Sequence, residues 1–238
     1  MIYLDSLNPS LFLGQALTVS FECVKVITAL KSDPHAAHIV RGGFAVMLKT
    51  PTEPMSKTSA LRLDTMPAWE RHEFVVLRLQ QADALLDTDA ITQKLAQSHL
   101  ASCSDVDLTA LSVLTFEVLG AFYQDATAHA GARFSGDMGH MLGPQHYGVF
   151  HTSAAIQQLI INGSTAPTHR IHLGLLRHSE TNSYTRDAQP VHLSMLDIKG
   201  KRSAMFGKTR LGKSNVVKLL AQGMLDVTAE DQSVGQLI

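Results

Sequence analysis

Residues 207–214, Gly-Lys-Thr-Arg-Leu-Gly-Lys-Ser, carry the most definite chemistry in this chain, and they match G-x-x-x-x-G-K-[ST] in full. Glycines at 207 and 212 let the backbone curl until successive N–H groups converge on phosphate oxygens. Lys213 is spaced to reach the β- and γ-phosphates of a nucleotide, and the Ser214 hydroxyl to join a Mg2+ shell. A helix opening near Ser214 adds the positive end of its dipole. At ordinary residue frequencies the pattern arises by accident in roughly 1% of chains of this length, so its neighbours matter. Residues 203–206 are a short β-capable run leading in. Val217, Leu220 and Met224 form an apolar stripe at helical spacing leading out. Strand, glycine loop, helix is the context the motif requires.

A phosphate loop alone hydrolyses nothing. It needs a carboxylate on a neighbouring strand to hold Mg2+ and a group to position the attacking water. After the loop the acids are Asp226, Glu230 and Asp231, in a segment that reads as helix end and loop. Residues 234–238 read as the opening of a strand. The expectation is an ATPase core that continues past Ile238.

The chain has 238 residues, 45% hydrophobic and 17% charged, enough for one large domain or two smaller ones. A net charge of -1 advertises neither a nucleic acid nor a membrane. Locally the balance differs. Lys199, Lys201, Arg202, Lys208, Arg210, Lys213 and Lys218 fall within twenty residues that contain no acid. The cluster suits polyphosphate or a nucleic-acid backbone, with a solvated face as the alternative for Lys199, Lys201 and Arg202. Two cysteines, Cys23 and Cys103, form no disulfide framework and point to a reducing compartment. The first 25 residues are too polar for a signal peptide or a span, so a cytoplasmic protein with no membrane partner is expected.

The first fifty residues read as β-structure: Leu17, Val19, Phe21 and Cys23 alternate with polar residues, and Gly42-Gly43 suits a tight hairpin. Residues 50–59 are a Pro/Ser/Thr loop, and 73–80 are a further strand. Residues 81–125 read as two packed helices, from Leu85, Leu86, Ile91 and Leu95, then Leu108, Leu111, Val118 and Phe122. Residues 131–148 hold five glycines and a proline and read as a loop, after which Thr152 caps a short helix. Alternation returns at Ile171, Leu173 and Leu175, and at Val191, Leu193 and Met195.

The run through "RIHLGLLRHSETN", "PVHLSMLDIKGKRSAMFGKTRLGKSNVV" and the closing "VGQLI" resembles the junction of N-terminal β-barrel and ATPase domain in HerA-type ATPases of the HerA–FtsK group. The likeness covers about 70 residues; over residues 1–165 it is architectural. It implies an α+β fold in two parts. Residues 1–197 form a HAS-barrel-like β-barrel with a helical insertion at about 81–162. Residues 198–238 begin a RecA-like α/β ATPase core that is cut short. On this resemblance Gly207, Lys208, Thr209, Arg210, Leu211, Gly212, Lys213, Ser214 and Asn215 are the ATP-binding loop, with Lys213 and Ser214 catalytic and Ser214 holding Mg2+ through ATP. Lys208 and Arg210 depart from the small or neutral residues often found inside the family's loop. The family implies a homo-hexameric ring that translocates double-stranded DNA, paired with a nuclease or a sirtuin-like effector in DNA processing or phage defence.

Two other readings compete: a non-catalytic oligomerisation and effector-docking module with structurally bound nucleotide, and a small P-loop kinase or GTPase with an N-terminal extension. Weaker constellations add little. His140, His146 and His151 match no zinc spacing. No G-x-S-x-G supports Ser/His/Asp catalysis.

Overall fold

The computed structural model describes residues 11–29, 41–49, 73–84, 111–123, 132–139, 143–163, 169–176, 189–199, 201–202, 204–208 and 212–230. The chain divides into two compact units, residues 1–157 with 178–181, and residues 158–177 with 182–238.

Among the described residues the first unit contains seven strands: β1 (Phe12–Val19), β2 (Cys23–Ala29), β3 (Phe44–Lys49), β4 (Glu73–Ala84), β5 (Leu111–Tyr123), β6 (Arg133–Ser135) and β7 (Tyr147–His151). Their order is β2-β1-β7-β3-β4-β5-β6, and β2 also pairs with β5. That pairing, seven residues in register from Cys23↔Glu117 to Ala29↔Leu111, closes six strands into an antiparallel barrel and leaves β6 as a short appendage on β5. Closure removes the open edges that would template aggregation. A six-stranded barrel is narrow enough to be filled by side chains. Leu13, Val24, Val26, Met47, Val75, Leu77, Leu114, Phe116 and Val149 do so, all nearly or fully inaccessible. In β3 and β7, four consecutive residues are buried, which accounts for the unbroken apolar runs "AVML" and "YGVF".

This corrects the helical reading of residues 81–125. Within that span 81–84 continue strand β4, 111–123 are strand β5, and 85–110 and 124–125 lie outside the described residues. The reason lies in β5 itself. Val113, Thr115, Phe116, Val118, Phe122 and Tyr123 favour the pleated conformation, and Leu114 and Phe116 are buried at period two. The register then slips between Val76↔Gly120 and Leu77↔Val118, and Ala121 and Phe122 become the buried pair. Alternation broken by a bulge imitates helical spacing. Gly120 has φ 140, and a Cβ there would meet the Ser135 carbonyl oxygen at 2.3 Å, so a glycine is required where β6 crosses β5.

The loop expected over 131–148 contains β6 and a 3-10 turn, Pro144–His146, that runs into β7. The Gly42-Gly43 pair turns with Gly42 at φ 82 and bonds across to Leu79 through Gly42 N–H and Gly43 C=O, both 2.9 Å. The other arm of the expected hairpin lies outside the described residues, as does the 50–59 loop. Helix α1 (Ala154–Asn162) is capped by Ser153, whose Oγ accepts the Ile156 N–H at 3.3 Å. Thr152, the expected cap, instead accepts from Gln157 Nε2 at 2.9 Å.

The second unit holds the antiparallel pair β8 (Arg170–Leu175) and β9 (Pro190–Ser194), as the alternation predicts, except that Met195 opens a four-residue helix, α2 (Met195–Ile198). Helix α3 (Lys213–Glu230) packs on the hairpin. Ile171, Met195, Met224 and Val227 are its buried core, with Leu173, Leu193, Ile198 and Leu220 around them.

Candidate functional site

Thr209, Arg210 and Leu211, the middle of the predicted loop, lie outside the described residues. On either side the motif takes a definite form. Gly212 sits at φ 78, left-handed space that favours glycine, and its carbonyl accepts the N–H groups of Asn215 (3.0 Å) and Val216 (3.1 Å). The helix begins at Lys213, one residue before the expected start. The N–H groups of Lys213 and Ser214 precede the first bonds to Gly212 and the first turn has no acidic side chain, so the positive end of the dipole suits an anion. Gly207, Lys208, Ser214 and Asn215 are exposed, and Lys213 is half-buried.

The Lys213 side chain folds back over the loop. Its ammonium donates to the Gly207 carbonyl and, at 3.2 Å, to that of Lys208. The aliphatic stem lies 3.7 Å from where a Cβ on Gly207 would stand. Gly212 thus has a local reason, the left-handed turn into α3, while at Gly207 a Cβ would make only ordinary contact with the lysine stem. An ammonium that tethers both ends of a loop through backbone carbonyls is poised to exchange those carbonyls for phosphate oxygens, stronger acceptors for a cation.

Three expectations around the loop change. Residues 204–208 belong to no regular element, where a strand was expected over 203–206, and Phe206 is 91% exposed. A strand needs a neighbour for its N–H and C=O groups, and among the described residues none pairs with this run. Every pairing described is antiparallel, so the parallel sheet of a RecA-like core is not seen. The α3 stripe holds at Leu220 and Met224, joined by Val227, but Val217 is 54% exposed. Asp226 and Glu230 are inside α3, and Asp226 accepts from Gln222 Nε2 at 2.7 Å. Asp231 lies outside the described residues.

Close approach fixes how α3 sits. A Cβ on Gly223 would meet Ile171 Cγ2 at 1.9 Å and its Cβ at 2.9 Å, so helix and hairpin touch where only hydrogen fits.

Two polar constellations escaped the sequence reading. On the barrel, Glu117 of β5 accepts from Arg78 Nη2 (2.5 Å), Arg78 Nε (3.0 Å) and Gln80 Nε2 (2.8 Å). These bonds, the Arg78 pair first, hold its carboxyl below the usual range. In the hairpin, His172 and His192 stand directly opposite, ring centroids 5.5 Å apart. Their polar places in two alternating strands were the signal. His151, of the weak histidine trio, is pushed below the ordinary imidazole value by burial at the end of β7. Among the described residues no three His, Cys, Asp or Glu side chains gather to hold a metal. Cys23 is a half-buried free thiol. Among the described residues no helix is long and apolar enough to cross a membrane.

No protein-family model matches the chain, and no curated protein matches it in sequence.

Proposed function

We propose that this chain is the barrel and nucleotide-binding portion of a HerA-like, cytoplasmic, homo-hexameric ATPase that translocates double-stranded DNA alongside a nuclease or sirtuin-like effector. The observation that carries the reading is the geometry of residues 207–208 and 212–214, the two ends of the motif. A complete G-x-x-x-x-G-K-S motif places Gly212 at positive φ, opens an 18-residue helix at Lys213 and turns the lysine ammonium onto the loop. A closed antiparallel barrel preceding that motif supports the family resemblance. Lys213 would meet the β- and γ-phosphates of ATP, and Ser214 would hold Mg2+. The exposed Ser214 side chain at the head of α3 fits that role.

Lys213→Ala in the natural gene product tests the reading: ATP turnover is expected to vanish and the native mass to be sixfold the denatured subunit mass. Persistent turnover in the variant, or a monomer, would sink it. One observation favours a second reading, an assembly module that holds nucleotide structurally. Among the described residues no strand pairs beside the loop to carry a carboxylate for Mg2+. On that reading the chain binds ATP and assembles without turnover.

A further inference from the structure

We draw no further inference here: the strongest candidate, the exposed apolar surface on either side of the phosphate loop in sequence, Met205 and Phe206 before it and Val217 and Leu225 of α3 after it, is an unpartnered face, and nothing in the structure shows what covers it.

Discussion

Gly223→Ala should loosen α3, although alanine is the better helix former. Inside a free helix the change gains about 1 kcal/mol. Here the new methyl would arrive 1.9 Å from Ile171 Cγ2, roughly 1.5 Å short of the 3.4 Å at which ordinary contact begins. Ile171 is buried and β-branched, and the contact falls on atoms beside its own backbone, so the side chain cannot swing away. The helix must lift off the hairpin, at an overpacking cost of about 1–3 kcal/mol. The upper end applies to so short a contact, and the net loss is about 1–2 kcal/mol after the propensity gain. Native-state hydrogen exchange of the α3 amides reads it directly, since each 1.4 kcal/mol is about tenfold in protection. Protection over 217–227 should fall about five- to thirtyfold. Protection that rises, as for a solvent-facing helical glycine, would refute the packing argument.

Other expectations concern the barrel. Gly120→Ala combines positive φ with a 2.3 Å clash on the Ser135 carbonyl, so β6 should detach at a cost of about 2–4 kcal/mol, visible as lost exchange protection at 133–135. His151 has a folded pKa below its unfolded value of 6.5. The stability it preserves is complete above that value and is lost as pH falls toward the folded pKa. Urea midpoints should therefore drop on going from pH 7 to 5, and His151→Leu should flatten that slope. Glu117 also has a depressed folded pKa, so its contribution is present above the ordinary carboxylate value and fades as pH falls through the folded one. Its carboxyl carbon should titrate below the usual range, and Arg78→Gln should return it upward; an unchanged midpoint would dismiss the Arg78 hydrogen bonds as the cause.

What could be read from residues alone follows the range of the interactions. The alternating strands β4, β8 and β9 and the glycine-lysine turn are local patterns, and they stand where expected. The alternation of Leu17, Val19, Phe21 and Cys23 instead straddles the turn between β1 and β2 and leaves Phe21 exposed. Closure by β2 against β5 is a pairing between residues about ninety apart, and no local pattern announces it. The bulge near Gly120 turned period two into apparent helical spacing, which hid β5. At the candidate site, spacing identified Gly207, Gly212 and Lys213, but not that the Lys213 ammonium rests on its own loop. The His172–His192 face depends on cross-strand register, which a single strand does not display.

The most direct test of the nucleotide loop is calorimetric titration of ATP into the chain, with Mg2+ and with EDTA, for the unaltered sequence and for Lys213→Ala. One saturable site that needs Lys213 and tightens with Mg2+ is the expected result. Equal binding by Lys213→Ala, or none by the unaltered chain, would contradict the assignment of residues 207–214 as a nucleotide-phosphate loop.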